Sequence, residues 1–159
     1  VFVHELSNPM IYEGASNLNN ILSEVTRSVD TDTSMIFIVS DFINLDETYK
    51  KNLELLAGKF EVVAIIVRDP LDIGLPDINK ELVIENPVTN EKLLINPSLA
   101  RSGYESNAVK QLNSVKEIFK DNNIDFIELS TKQRFAEFFA AFLQERIRGG
   151  RVVRTKNVR

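Results

Sequence analysis

The stretch Met35-Ile36-Phe37-Ile38-Val39-Ser40-Asp41-Phe42 decides the fold class of this chain. Five apolar residues run without a break from Met35 to Val39, which predicts a strand buried on both faces, as in a parallel sheet. The apolar run ends at Ser40 and Asp41. An acidic residue at the carboxyl end of a buried parallel strand lies where α/β folds bind ligands and metal ions, so Asp41 is a candidate site residue. Simple capping of a turn is the open alternative.

A helix and a second strand are predicted after Asp41. Apolar residues at helical spacing mark the helix, namely Tyr49, Leu53, Leu56 and Phe60. The continuous apolar run of Glu61–Val67 predicts a second buried strand, which ends in the polar segment Arg68-Asp69-Pro70. Two parallel strands joined by a helix end at the same edge of a sheet, so we expect Asp41 and Asp69 at one edge, on neighbouring strands.

A further helix is predicted before the first strand. Its apolar positions are Leu18, Ile21, Leu22, Val25 and Val29. Ser16 and Asn17 are both favourable N-cap residues. The sequence therefore predicts that Ser16 heads a helix that packs beside the strand ending at Asp41. On local grounds alone, Ser16 is a plain cap.

The segment from Leu71 to Gly103 departs from this pattern. Two alternating runs, Glu81–Glu85 and Glu91–Ile95, flank a five-residue turn segment and predict an inserted β-hairpin. A helix marked by Ala108, Leu112, Val115 and Phe119, an edge strand over Asp125–Leu129, and a last helix then follow. The last helix has an aromatic stripe of which at least two members are expected in the core: Phe135, Phe138, Phe139 and Phe142.

The composition excludes several classes of chemistry. The chain has 159 residues, 43% of them apolar, a net charge of −4 and no cysteine. These values are typical of one globular domain and exclude disulfides and thiolate catalysis. The net charge gives no reason to expect nucleic acid as a partner. Neither GxGxxG nor GxxxxGK[ST] occurs, and the single histidine, His4, argues against a Ser-His-Asp mechanism.

The end of the chain is basic. Arginines and lysines recur from Arg146 to Arg159, with a Gly149-Gly150 pair among them. A basic segment of this kind at a terminus is typical of flexible tails. The predicted organisation is an α/β domain over residues 1–148, followed by a basic flexible tail over residues 149–159.

Several short motifs, taken in order, resemble a known family. They are Gly14-Ala15-Ser16-Asn17-Leu18, Ile38-Val39-Ser40-Asp41-Phe42, Arg68-Asp69-Pro70 and Leu75-Pro76, followed by the hairpin, Tyr104 and the Phe-rich last helix. The set resembles the second half of a von Willebrand factor A-like domain, and more narrowly the bacterial and archaeal family labelled "domain of unknown function 58". The resemblance covers about residues 14–142. It implies a three-layer α/β sandwich with a mostly parallel sheet and an inserted β-hairpin.

The resemblance also implies a metal-ion-dependent adhesion site. Such a site holds Mg²⁺ with an Asp-x-Ser-x-Ser motif on the first strand, a Thr at the head of a later helix and an Asp after the fourth strand. Ser16 falls at the Thr position and Asp41 at the Asp position, and their oxygens suit this hard cation. This sequence has no Asp-x-Ser-x-Ser. The implied site is therefore partial, and Mg²⁺ binding is expected to be millimolar or undetectable.

The resemblance places the strand that carries this motif before Val1, and the absence of an initiator methionine is expected of a segment from a longer protein. Without that strand, Met35–Val39 would expose a row of unpaired backbone groups, which is a template for pairing with another chain. We therefore expect either a homo-oligomer through this strand edge or a missing segment that is supplied by a longer polypeptide or by a second polypeptide.

The expected function is a non-enzymatic protein–protein interaction module. The resemblance implies a partner among the MoxR-type AAA+ ATPases, a role in protein assembly or remodelling, and a cytoplasmic location, either free or as the cytoplasmic domain of a membrane-anchored parent. The alternative is a Mg²⁺-dependent hydrolase that uses Asp41 and Asp69 at one sheet edge. No nucleophile, base or phosphate-binding loop accompanies these two residues in the sequence.

Overall fold

The computed structural model describes residues 17–30, 32–33, 35–43, 48–86 and 89–149. The helices are α1 (Leu18–Ser28), α2 (Thr48–Lys59), α3 (Pro70–Ile73), α4 (Pro97–Asp121) and α5 (Phe135–Gly149). The strands are β1 (Met35–Ser40), β2 (Glu61–Arg68), β3 (Leu82–Glu85), β4 (Lys92–Ile95) and β5 (Asp125–Ser130). No helix in these ranges is both long and apolar enough to cross a membrane.

Three strands form a parallel sheet in the order β1-β2-β5. Helices α1, α2 and α4 cover one face of this sheet, where Phe42, Leu53 and Phe119 are fully buried. Helix α5 covers the other face through Phe142, which packs with Val63 and Leu129. The predicted three-layer α/β architecture with a mostly parallel sheet is confirmed.

The inserted hairpin is also confirmed. Strands β3 and β4 pair antiparallel, with Val83 opposite Leu94 and Ile84 opposite Leu93. The hairpin forms a separate two-stranded sheet between the short helix α3 and the long helix α4. It therefore extends from the α/β layers instead of adding to the parallel sheet.

Strand β1 is less buried than its apolar sequence predicts. Ile38 is buried against α1 and α2, but Phe37 is 44% exposed and Val39 is 63% exposed. The expectation of burial on both faces is wrong for this strand. Among the described strands β1 is an edge strand, and a single helix, α5, covers its second face through contact of Phe139 with Phe37.

Helix α4 begins earlier than its apolar stripe indicates. It has 25 residues and starts at Pro97, whose missing N–H is no loss in a first turn. The side chain of Asn96 accepts a hydrogen bond from the Ser98 N–H at 3.1 Å and caps the helix. The buried residues Val115 and Phe119 lie in the second half, while most of the first half lies at the surface. The stripe from Ala108 onward marked only the half that reaches the core.

The aromatic stripe of α5 contributes less to the core than expected. Phe142 is buried, Phe138 and Phe139 are partly buried, and Phe135 is exposed. The helix is confirmed, but the expectation of at least two buried phenylalanines is wrong. Among the described helices, α5 is alone on its face of the sheet, so no second helix covers the sides of its stripe.

Some predictions fall on residues outside the described ranges. They include His4, Ser16 and the tail beyond Gly149. The division into a domain over residues 1–148 and a tail over residues 149–159 therefore stays a prediction.

Candidate functional site at the carboxyl edge of the sheet

The turn after β1 is set by Phe42. Its ring is fully buried and meets Phe119 edge-on, with 5.1 Å between ring centroids. To reach the core directly after the strand, Phe42 adopts a φ of 53°, in the left-handed region that bulky residues rarely enter. Core packing therefore holds a strained backbone at Phe42, while the preceding residue, Asp41, is exposed.

Asp41 lies exposed at the carboxyl end of β1. One carboxylate oxygen, Oδ1, accepts the Ile43 N–H at 3.1 Å, which is the geometry of an Asx turn. The Ser40 hydroxyl donates to the same oxygen at 3.5 Å and accepts the Phe42 N–H at 3.1 Å. No described residue bonds to Oδ2 of Asp41. The motif Ser-Asp-Phe thus builds a hydrogen-bonded turn in which one carboxylate oxygen of Asp41 accepts no bond from the described residues.

Asp69 lies at the end of the neighbouring strand β2, at the same sheet edge as Asp41. Its two oxygens are both engaged: Oδ1 accepts the Leu71 N–H at 2.9 Å, and Oδ2 accepts the Thr131 hydroxyl at 2.8 Å. Asp69 caps α3, and the backbone N–H of Asp69 donates to the side chain of Asp72, which completes a capping box. The bond from Leu71 and then that from Thr131 hold the pKa of Asp69 below its usual value.

A buried arginine lies beneath this edge. Arg68, the last residue of β2, is only 3% exposed, and its Nη2 donates to the Gln111 side-chain oxygen at 2.6 Å. The amide nitrogen of Gln111 donates in turn to the Phe42 carbonyl oxygen. No described residue accepts a hydrogen bond from Arg68 Nε. This link from β2 through α4 to the Phe42 turn was not predicted, because its members are 43 and 69 residues apart along the chain.

Comparison with known proteins identifies the family of this chain. The model of the family described as "protein of unknown function DUF58" matches residues 7–114, more than half of the chain. The chain belongs to this DUF58 family. The predicted family resemblance is therefore confirmed, and the matched range contains Ser16, Asp41, Asp69 and the hairpin.

The DUF58 chain is also similar to one solved structure. This is a conserved hypothetical protein, BatB, from Bacteroides thetaiotaomicron, with 13% sequence identity and a TM-score of 0.40. The match covers 89% of this chain and 63% of the BatB chain, so the DUF58 chain spans less than two thirds of that protein. No curated protein matches the chain.

The structure of this DUF58 chain describes only one of the two residues of the predicted metal site. Asp41 occupies the expected place at the carboxyl edge, whereas Ser16 lies outside the described ranges, so their proximity stays a prediction. Asn17, next to Ser16, is the N-cap of α1, and its side chain accepts the Asn20 N–H at 3.2 Å. Within the described parts of the chain, no three or more His, Asp or Glu side chains gather as a metal-binding group.

The hydrolase alternative depends on two available carboxylates. Asp41 and Asp69 do lie at the same edge, as predicted. Both oxygens of Asp69, however, accept hydrogen bonds that hold α3 and the segment after β5. A metal ion at Asp69 would have to displace the helix cap, so the geometry gives this residue a structural role.

The amino edge of the sheet holds a charged cluster that the sequence did not predict. Arg146 of α5, assigned above to the basic end of the chain, is 9% exposed. Its Nε donates to Asp125 Oδ2 at 2.9 Å, its Nη2 donates to Glu61, and its Nη1 lies 3.5 Å from the Met35 sulfur. Met35, Glu61 and Asp125 are the first residues of the three parallel strands. One buried guanidinium therefore joins α5 to the start of every strand in the described sheet.

The two carboxylates around Arg146 share a single cation. Burial raises the pKa of Asp125, and the nearby charge of Glu61 adds to this effect. The charge of Arg146 and its hydrogen bond oppose the rise without cancelling it. The cluster lies at the edge opposite to Asp41, so its role is to fix the strands and not to bind a ligand beside Asp41.

Proposed function

We propose that this chain is a non-enzymatic protein–protein interaction module. The observation that carries the proposal is the hairpin surface, which consists of Val83, Ile84, Leu93 and Leu94. Val83 and Leu94 form a pair on one hairpin face and are 61% and 60% exposed. Ile84 and Leu93 form a pair on the other face, and both are exposed.

An apolar hairpin with two open faces is unfavourable in water. An antiparallel sheet commonly has one apolar face packed on a core and one polar face in solvent. A lone two-stranded hairpin is marginally stable, and exposed apolar surface costs roughly 25 cal/mol per Å² relative to burial. A protein that covered either face would relieve this cost. Contiguous exposed apolar patches of this kind mark interaction sites.

The proposed partner belongs to the MoxR-type AAA+ ATPases, and the proposed role is the assembly or remodelling of other proteins. The support for this partner class is family membership together with the resemblance described above. The apolar chemistry of the hairpin surface is compatible with a protein partner.

Binding to a purified MoxR-type ATPase tests the proposal. The double variant Val83→Thr/Leu94→Thr removes one apolar pair and places a β-branched, strand-compatible side chain at each position. We expect its affinity, measured by biolayer interferometry with and without ATP, to fall at least tenfold. The control is Ile147→Thr, because Ile147 is an exposed apolar residue on α5, away from the hairpin. Equal binding by all three proteins would exclude the hairpin surface, and no binding by the unmodified chain would exclude the partner class.

We also propose that Mg²⁺ binds weakly at the carboxyl edge, with Ser16 and Asp41 as the protein ligands. The support is the exposed Asp41 carboxylate, whose Oδ2 accepts no bond from the described residues. Two protein oxygens leave about four of the six Mg²⁺ positions to water, which predicts a dissociation constant on the order of millimolar. Titration followed by amide NMR should shift the Phe42 and Ile43 signals. The same shifts in Asp41→Asn would contradict the site.

Self-association through the β1 edge remains a further proposal. Its support is that β1 pairs only with β2 among the described strands and that Val39 is largely exposed. Light scattering over a range of concentrations tests it. A constant monomer mass, equal in the unmodified chain and in Val39→Lys, would argue against pairing at this edge.

A further inference from the structure

A groove of about 630 Å³ runs along the outer edge of β5. Five consecutive residues, Phe126 to Ser130, line it. Side chains alternate between the two faces of a strand, so five consecutive lining residues mean that the backbone edge itself forms the floor. Among the described strands β5 pairs only with β2, so no described strand lies beside this edge.

Two helices form the walls of this groove. Helix α4 contributes Val109, Leu112, Asn113 and Lys116, and helix α5 contributes Phe138, Ala141, Phe142 and Glu145. Both sets follow the i, i+3, i+4, i+7 spacing of a single helix face. The walls therefore run alongside the strand edge and leave a channel, which has the form that an extended segment requires.

Hydrogen bonds show which backbone groups point into the groove. The Thr131 N–H donates to the Arg68 carbonyl oxygen and so points toward β2. Backbone groups alternate in direction along a strand, so the N–H and C=O groups of Phe126 and Glu128 point away from β2, into the groove. The next outward donor, the Ser130 N–H, is bound by the Gln133 side chain at 3.1 Å. Gln133 thus occupies the last outward donor, and no described strand pairs with the outward groups of Phe126 and Glu128.

One buried charge marks the end of the groove. Arg68 lines it beside Ser130, where β5 ends. Its guanidinium is almost fully buried and donates to Gln111, but no described residue accepts a bond from Nε, and no described carboxylate forms an ion pair with it. Buried charges are normally paired, because an unpaired charge in a low-dielectric site is costly. A carboxylate placed here would supply the missing acceptor.

We propose that the β5-edge groove binds an extended peptide segment of a partner protein, as an added strand, with an acidic residue of that peptide against Arg68. The backbone of the peptide pairs with Phe126 and Glu128, its apolar side chains contact the two helix walls, and its carboxylate accepts from Arg68 Nε. Strand addition of this kind draws affinity from main-chain bonds and specificity from side-chain pockets. No residue of the hairpin surface lines the groove, so the inference does not depend on the proposed function.

The test uses acetylated hexapeptides of the pattern X-Thr-X-Thr-X-Glu, in which X is Val, Ile, Leu or Phe. Binding to the full chain is followed by amide NMR. We expect signal changes and slower amide exchange at Phe126 and Glu128. The Glu-to-Gln form of the best peptide should bind about tenfold more weakly, because hydrogen bonds to charged groups are the stronger ones. No binding by any peptide of the set would overturn the proposal.

Two further comparisons separate strand pairing from simple apolar binding. Two peptides are compared, one N-methylated at its odd-numbered residues and the other at its even-numbered residues. Only one of the two should lose binding, because only alternate N–H groups of the peptide face β5. Ala141→Tyr should block the groove, whereas Ala140→Tyr places the same ring on a neighbouring exposed position that does not line it. Equal effects of both N-methyl sets, or of both tyrosine variants, would refute strand addition.

Discussion

Replacement of Arg146 by methionine should lower the free energy of unfolding by about 3–5 kcal/mol, the usual cost of removing one partner from a buried ion pair. Arg146 is 9% exposed and contacts the first residues of all three parallel strands. Methionine retains much of the apolar stem and removes only the guanidinium. The expected loss therefore reports the charge and its hydrogen bonds and not the creation of a cavity.

The magnitude follows from the positions of the two carboxylates. The side chains of Asp125 and Glu61 are 13% and 30% exposed, so both carboxylates are largely removed from water. At an effective dielectric constant of about 20, a pair of unit charges about 4 Å apart interacts by roughly 4 kcal/mol. Without Arg146 these two like charges would lie together with no cation between them. A loss of this size is a large part of the 5–15 kcal/mol that stabilises a typical domain.

The loss should depend on pH. Burial raises the pKa of Asp125 even with Arg146 present, and removal of Arg146 should raise it further. A carboxyl group whose folded pKa lies above its unfolded value binds its proton more tightly in the folded state, so stability falls as pH rises through the interval between the two values. The effect of Arg146→Met should therefore be largest near neutral pH and smaller at acidic pH, where Asp125 is protonated.

Urea unfolding at neutral and acidic pH measures these effects, provided that the denaturant dependence is unchanged. The matched control is Arg148→Met, since Arg148 lies exposed on the same helix two residues later. The triple variant Arg146→Met/Glu61→Gln/Asp125→Asn removes all three charges and should recover at least half of the loss, because the unpaired carboxylates cause it. A loss below about 1 kcal/mol, or one that is equal at both pH values, would refute this reasoning.

Three other outcomes follow from single residues. Phe142→Ala should cost about 3–5 kcal/mol, while Phe135→Ala, at an exposed position of the same helix, should cost far less; equal losses in urea unfolding would contradict the packing of α5. Phe42→Gly should be at least as stable as Phe42→Ala, because φ is 53° there and a left-handed alanine is strained by about 1 kcal/mol or more. Because the folded pKa of Asp69 is lowered, its contribution is present above its unfolded pKa and disappears as pH falls through the folded value. The stability of the unmodified chain should therefore fall more steeply in acid than that of Asp69→Asn, which keeps a good N-cap, and parallel pH curves would show that the Asp69 charge is unimportant.

The sequence predicted those parts of the fold in which local pattern and burial agree. Strand β2 is a continuous apolar run because it lies between two neighbours, and its bounds match the prediction to within one residue. The shared edge of Asp41 and Asp69 followed from the geometry of parallel strands alone. Local pattern could not show that the oxygens of Asp69 are engaged, because Thr131 reaches it from the end of a strand 62 residues away.

The missed features depend on distant contacts or on surface position. The first half of α4 lies mostly at the surface, so it has no apolar stripe, and its sequence signals were the N-cap Asn96 and Pro97. In the sequence, Arg146 belongs to a run of basic residues at the end of the chain. Only the fold shows that it forms ion pairs with Glu61 and Asp125. Phenylalanine rarely adopts a left-handed backbone conformation, so the sequence did not predict one at Phe42. Packing of the Phe42 ring in the core imposes this conformation.

The two ends of the parallel sheet differ in whether their charged side chains are paired with one another. At the amino end, Glu61 and Asp125 are bound by Arg146, and this contact fixes the starts of the strands. At the carboxyl end, no cation of the described residues pairs with Asp41, and no described carboxylate pairs with the buried Arg68. The amino end thus supplies its own counter-charges, whereas at the carboxyl end neither Asp41 nor Arg68 has an oppositely charged partner among the described residues. The contacts of Arg146 that join the starts of the three described strands therefore involve no residue of the carboxyl end.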